Sequence, residues 1–472
     1  MGIARFGRVI SSLCLGVALL AGCDTPSSSA TSVARSTVSR ASGSGGSNYI
    51  SHIVLIVQEN RSFDDFFATF PGADGTTTGK LKSKRIKLRK VDLVEGCDFK
   101  HSRGNFLRDY NGGKMNGFYF EGVAGSNCPL KAGTAPYQYV NPEQIAPYWD
   151  MAKEYVLADH MFQTQGSGSF TAHQDLIRGG TMIDEAQTES LVDYPDGNPW
   201  GCDAPAHTVT SLVVAIGKKL KTEARKGPFP CTNDFPSSGG SYETLRDLLD
   251  AQYVSWKYYV PSVTTHGSGN LWNAFDMIYS VRYGPEWQSN ISIPETNIFN
   301  DISGGTLPAM SWLIPDLENS DHPSSDSDTG PSWVASIVNA IGESSYWPST
   351  AIIIVWDDWG GFYDHVPPPF VDKWGGLGFR VPMMVISPYA RETSSSQPGY
   401  ISHTQYEFGS IMKFIEGTWN LGSLGTTDER ATSIVDSFDF TQHPRSFTSI
   451  PSSYSRVYFE HQRPSYRPVD TE

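Results

Sequence analysis

Basic charge is scarce in this chain: 36 Lys and Arg stand against 50 Asp and Glu, a formal net charge of -14. No general basic field therefore exists to hold nucleic acid or an anionic membrane. Long apolar runs are missing too, since the stretch at residues 9–20 is too short to span a bilayer permanently. No Cys-x-x-Cys pair occurs, which argues against a four-thiolate zinc site. No internal repeat shows itself, and the only low-complexity stretch inside the folded part, residues 393–397, is a short loop. What remains is an ordinary globular composition: 472 residues, 39% of them hydrophobic, enough for a large buried core in one big domain or two smaller ones. The acidic excess also supplies the oxygen ligands that hard metals need.

Arg5 and Arg8, the apolar residues 9–20, and Leu20-Ala21-Gly22-Cys23 together form the pattern of an export signal. The last four residues resemble a bacterial lipobox, so residues 1–22 are expected to be removed and Cys23 to carry lipid. The alternative is an ordinary cleaved signal with an incidental Cys23. Asp24 resembles an inner-membrane retention signal in some bacteria, and the leaflet stays open. Residues 23–48 are Ser, Thr, Gly and Ala with almost no large apolar residue, a tether that cannot pack. One catalytic domain is expected over residues 49–472.

Of the six cysteines, Cys14 lies in the signal and Cys23 is the lipidation candidate. Cys97, Cys128, Cys202 and Cys231 then sit in an oxidising compartment, where four cysteines permit three pairings. Sequence proximity favours Cys97 with Cys128 and Cys202 with Cys231, each closing a loop of about thirty residues and stabilising by roughly 2 to 4 kcal/mol.

Apolar runs at residues 53–57, 155–158, 309–314, 351–356 and 381–386 are continuous rather than alternating. Strands that read this way are buried on both faces, which implies an α/β fold with a largely parallel central sheet flanked by helices. Helices are expected near residues 242–252, 333–341 and 406–416.

Two of these strands run into carboxylates. Residues 53–57 lead into Gln58-Glu59-Asn60-Arg61-Ser62, and residues 351–356 into Asp357-Asp358-Trp359-Gly360-Gly361. The carboxyl ends of strands in open parallel sheets line the ligand crevice, so Glu59, Asn60, Asp357 and Asp358 are candidates to converge. Adjacent carboxylates there repel each other unless a metal or an Arg lies between them. An oxygen-rich set suits a hard divalent ion, and a neighbouring His would turn it toward iron or zinc. Taken singly, each of these residues is equally a helix cap or a solvated loop residue.

Small residues precede Ser169 and a helix-like pattern follows it, placing its hydroxyl where a helix N-terminus favours alkoxide and phosphate. A plain N-cap serine is the simpler reading of that position alone. His101, His266 and His322 are candidates to donate to phosphate oxygens or protonate a leaving group, though each alone reads as a surface or packing residue. His365 and His403 are candidates to support the site from behind.

Several of these segments resemble a known family in order along the chain. They are His52 through Asp64, Gly168-Ser169-Phe170 with His173, Ser320-Asp321-His322-Pro323, Asp357 through His365, and Gly378 through Pro382 with Ser387-Pro388. Over residues 48–416 the chain resembles the bacterial phosphoesterases that include phospholipases C and respiratory-burst-inhibiting acid phosphatases, of the alkaline phosphatase-like superfamily. The resemblance implies a divalent metal held by Glu59, Asn60, Asp357 and Asp358, with Ser169 as nucleophile completing the shell. It implies phosphoryl contacts from His101 and His322, a looser one from His266, and a phosphoseryl intermediate released to water. The implied substrate is a phospholipid headgroup diester or a soluble phosphomonoester, with membrane contact through the N-terminal lipid and no nucleic-acid partner.

The chain departs from the family pattern in three places. Ser167-Gly168 replaces Gly-Pro, Asp358 replaces Glu, and Asn116 replaces Asp. The shorter Asp358 is expected to alter metal preference without abolishing the site. A compact enzyme is expected, without the extra C-terminal domains of haemolytic phospholipases. A sulfatase or phosphonate hydrolase would need Cys-x-Pro-x-Arg or Ser-x-Pro-x-Arg at the nucleophile, which Ser169 lacks. The rival of another class is a non-catalytic surface lipoprotein that keeps the fold to bind phosphorylated ligands.

Overall fold

A computed structural model describes residues 48–465 apart from 95–96, 124–127, 129, 132, 198, 217–218, 228–230, 232–233, 236–239, 262–270, 370–375, 395, 397 and 464. Cys23, the signal, the tether and His266 lie outside the described residues. No helix among the described residues is long and apolar enough to cross a membrane.

The fold is α/β. At its centre lies an eight-stranded sheet in the order Ile291–Ser292, Trp256–Tyr259, Met310–Leu313, His52–Gln58, Thr350–Trp356, Met383–Ile386, Val156–Ala158, Tyr400–Ser402. Only Met383–Ile386 runs against its neighbours. The β-branched run Ile352-Ile353-Ile354-Val355 is buried throughout, as is Ile53 to Val57, which fits strands covered on both faces. All five strands expected from continuous apolarity are present, the outer ones shorter than their apolar runs. The strands Trp256–Tyr259, Ile291–Ser292 and Tyr400–Ser402 carry no such run, because two lie at the sheet's edges and their side chains alternate with polar ones.

Helices cover the sheet. Gly330–Gly342 starts with a Pro in its first turn and buries nearly every position. Leu245–Ala251 is shorter than its apolar pattern because the Thr244 and Asp247 capping box fixes its start. Phe408–Trp419 begins two residues later than expected, since Tyr406–Glu407 pairs as a short parallel strand with Met161–Phe162. That helix packs against Ser169–Arg178, which Gly179 ends with a left-handed turn, φ 76°. The disulfides Cys97–Cys128 and Cys202–Cys231 are both formed, as sequence proximity suggested.

Candidate active site

Register decides where the carboxylates meet. His52–Gln58 and Thr350–Trp356 pair in parallel along their whole length, with Gln58 opposite Trp356. Glu59-Asn60 and Asp357-Asp358 therefore leave the sheet side by side at its carboxyl edge. Asp357 N–H donates to Gln58 O at 2.9 Å, which keeps the two exits in step. Asn60 then turns left-handed, φ 55°, a conformation Asn tolerates better than most residues. Its N–H donates to Asp357 Oδ1 at 2.9 Å, and the N–H of Asp358 donates to the same oxygen at 2.7 Å.

Gly360 shows why this crossing needs no side chain. Its φ is 59°, and a Cβ there would lie 2.4 Å from Asn60 O. Its N–H donates to Asp358 Oδ1 at 2.7 Å, fixing that carboxylate.

Ser169 is the first residue of the helix Ser169–Arg178 and is 3% exposed. Its hydroxyl donates to Asp358 Oδ2 at 3.2 Å and lies 3.3 Å from Asn60 Oδ1. The shorter Asp358 thus still reaches the serine. Asn116, another of the departures from the family pattern, donates to Lys82 O in a neighbouring hairpin.

The Asn60 amide stands between two pairs of groups. One end lies 3.1 Å from Glu59 Oε2 and 3.2 Å from Asp357 Oδ1; the other lies 3.2 Å from His101 Nε2 and 3.1 Å from His322 Nε2. With nitrogen toward the carboxylates, the amide donates to both of them and its oxygen accepts from His322 Nε2, and from His101 Nε2 when that ring is protonated. With oxygen toward them, three oxygens crowd one point, which is favourable only around a cation.

The two histidines present different faces. Ser324 N–H donates to His322 Nδ1 at 3.1 Å, so the neutral ring carries its proton on Nε2, aimed at the site. His101 Nδ1 lies 2.7 Å from Phe99 O, so it holds a proton and leaves Nε2 toward Asn60, with Asp358 Oδ2 at 3.6 Å. Neutral His101 therefore offers a lone pair to the site, and protonated His101 a donor.

His173 has a place in the site that its sequence position did not assign. It follows Ser169 by four residues, one helical turn, and its Nε2 lies 2.7 Å from Glu59 Oε1 and 3.9 Å from Asp357 Oδ2. Burial pushes its pKa down to about 4, against the pull of Asp357, so it is a neutral donor to Glu59. The spacing from Ser169 was the signal available in the sequence. Arg61 braces the His322 loop, donating from Nε to Asp321 O at 2.9 Å and pairing with Asp65 at 3.0 Å.

His365 and His403 do not support this site. His365 pairs with Asp64 at 2.8 Å and Asp74 at 3.3 Å, and His403 with Asp159 at 2.8 Å. His365 follows Asp364, whose carboxylate takes both Nε and Nη2 of the buried Arg380 at 3.0 and 3.1 Å, and that ion pair draws His365 away.

Glu59, Asp357 and Asp358 are all fully buried, and among the described residues Asp357 Oδ2 has no hydrogen-bond partner. Buried carboxylates and an amide oxygen suit a divalent cation, and Glu59, His173 and Asp357 offer ligand atoms within 4.8 Å of one another.

Residues 50–422 match the Phosphoesterase family. Phospholipase C B of Mycobacterium tuberculosis is 25% identical, over 84% of this chain and 78% of that protein. Non-specific phospholipase C6 of Arabidopsis thaliana is 31% identical, over 86% of this chain and 75% of that protein. Among solved structures, an alkaline phosphatase superfamily protein from Vibrio parahaemolyticus aligns with a TM-score of 0.35 and 11% identity, over 82% of this chain and 72% of that one. The family match spans most of the sequence and includes both carboxylate-bearing strand ends, so the chain belongs to the Phosphoesterase family and is a hydrolase acting on phosphoester bonds.

Proposed function

We propose that the chain is a metal-dependent phospholipase C that attacks phosphorus with Ser169. The observation that carries this reading is the placement of the Ser169 hydroxyl at a helix N-terminus, 3.2 Å from Asp358 Oδ2 and beside the Asn60 amide. Glu59, Asn60, Asp357 and Asp358 would hold a divalent ion with Ser169. Bound there, the ion would lower the cost of forming the serine alkoxide and of gathering negative charge on the phosphoryl group.

The side chains have separate tasks. Ser169 gives its proton to Asp358 and forms the new O–P bond while the bond to the leaving alkoxide breaks. His322 Nε2–H donates to a phosphoryl oxygen, and His101 does so when protonated. The proton taken by Asp358 goes on to the leaving alkoxide, and water then attacks the phosphoserine from the opposite side, breaking the Ser169 O–P bond and giving up the proton that restores the hydroxyl. His266 is retained as a further phosphate contact on the family resemblance alone. The diester reading is supported by the phospholipase C names of the relatives above.

Initial rates on p-nitrophenylphosphorylcholine and p-nitrophenyl phosphate, with and without chelator, test the activity. Chelator-sensitive preference for the choline ester is expected, and preference for the monoester would mean a phosphatase. Ser169→Ala should lower turnover by about 10³-fold or more while metal still binds. Full turnover in that variant would remove Ser169 as nucleophile.

We also assign the mature protein to the cell envelope, exported and anchored through lipid on Cys23. Cys23→Ser should release it from the membrane fraction, and retention there would overturn the anchor.

A further inference from the structure

The acidic balance of the chain hides one local exception. Five Lys and two Arg fall between residues 80 and 90, and no acidic residue occurs between Asp74 and Asp92. That segment holds seven of the 36 basic residues, leaving 29 to face all 50 acids elsewhere. In the structure it forms a hairpin of Thr78–Leu81 and Lys84–Lys87, followed by the strand Arg89–Val91.

The seven basic side chains are exposed, while Gly79 and Leu88 are buried and Leu81 and Ile86 half-buried against an aromatic cluster of Phe118, Tyr137, Tyr363 and Phe379. The hairpin thus keeps its apolar residues inward and its charge outward. Among the described residues, Lys80, Lys82, Lys84, Arg85, Lys87 and Lys90 form no ion pair. Lys80 sits directly opposite Arg85 across the strands, an unfavourable like-charge pair. One or two lysines suffice to keep an edge strand from pairing with another chain, so six charges without a counter-ion point to an anionic partner.

We propose that this hairpin docks the enzyme on an anionic phospholipid surface. Six unneutralised cations on the hairpin and the strand that follows it complement the anionic lipids of a bilayer. The Lys82 ammonium lies 4.6 Å from the Tyr119 ring, whose neighbour Phe120 is 54% exposed. Lysines beside an exposed aromatic are the residues that partition to the headgroup level of a membrane. The hairpin is also fastened to the catalytic segment: Lys80 N–H donates to the Tyr363 hydroxyl at 3.2 Å, five residues beyond Asp358, and Tyr137 donates to Lys80 O at 2.8 Å. Docking therefore fixes the position of Asp357-Asp358 against the bilayer, which rests on the reading that the esters include phospholipid headgroups.

The test compares the full chain with Lys82→Gln/Lys84→Gln/Arg85→Gln/Lys87→Gln, so that any lipid anchor contributes equally to both. Partition is measured onto vesicles of phosphatidylcholine with and without 30% phosphatidylglycerol. The wild-type chain should prefer the anionic vesicles and lose that preference in 1 M salt. Each removed charge should weaken the anionic binding about fivefold, while turnover of soluble p-nitrophenylphosphorylcholine stays unchanged. Equal partition onto both vesicles, unchanged anionic binding in the variant, or tighter binding of single-stranded RNA than of the vesicles would each overturn the proposal. If the variant loses soluble turnover through misfolding, the salt titration of the wild type still decides. Silence of the wild type on soluble esters would sink the catalytic reading alone, since vesicle partition needs no turnover.

Discussion

At the scale of single residues, the site is organised around the Asn60 amide, which has carboxylates on one side and histidines on the other. In the proposed metal centre His173 would act through Glu59, to which its neutral ring donates at 2.7 Å. Residues that orient a metal ligand in this way are worth about 10- to 100-fold in metal affinity. His173→Ala should therefore weaken divalent-ion binding by about that factor, measured by metal titration of the protein without substrate. His173→Gln, which keeps an N–H donor, should recover part of the loss. Unchanged metal affinity in His173→Ala would reduce it to a packing residue against Trp272.

Between the elements, a second charged cluster joins the helix Phe63–Phe67 to the segment beyond Asp358. The buried guanidinium of Arg380 pairs with Asp364 and approaches Asp64 at 3.5 Å, while donating to the carbonyls of Asp74 and Asp159. Burial tends to lower the His365 pKa, but the Asp64 hydrogen bond and the charges of Asp64 and Asp364 outweigh it, and the net shift is upward. A raised histidine pKa stabilises the fold fully below its unfolded value, about 6.5, and loses that contribution as pH rises through the folded value. Burial and the Asp364 charge also raise Asp64, an acid whose protonated form the fold then favours, so its shift has the same sign. Asp74 is shifted the other way, lowered chiefly by the hydrogen bond from His160 working against burial, and its contribution is lost only as pH falls through its depressed value. His365→Gln should thus lower the melting temperature at pH 5 to 6 and change it little near pH 9. Equal destabilisation at both pH values would show that His365 acts by shape alone.

For the whole molecule, three fully buried carboxylates meet at one edge of the central sheet. A ligand that binds only the folded state stabilises it by about 2.7 kcal/mol at a hundredfold excess over its Kd. Divalent metal should therefore raise the melting temperature, and Asp357→Asn should abolish most of that rise. A melting temperature indifferent to both metal and chelator would refute a metal held by these residues, whatever the activity.

Much of this was legible in the linear sequence because its signals are local. Continuous apolar runs fix which strands are covered on both faces, and acids placed directly after two of them must lie at strand ends. Cys97 and Cys128, like Cys202 and Cys231, are near neighbours in the chain, so loop closure favoured the pairs that form. Other features depend on contacts between distant segments. Gln58 opposite Trp356 sets four ligand candidates level, although almost three hundred residues separate them, and only pairing register decides that. The role of His173 depends on a helix docking onto a sheet edge, and His365 is drawn to Asp64 and Asp74 by chain segments three hundred residues earlier. The basic run at residues 80–90 is plain in the sequence, but folding alone decides that its apolar side chains turn inward and leave one charged face outward. Local chemistry is thus written in the residues, whereas register and side-chain direction are set by packing between them.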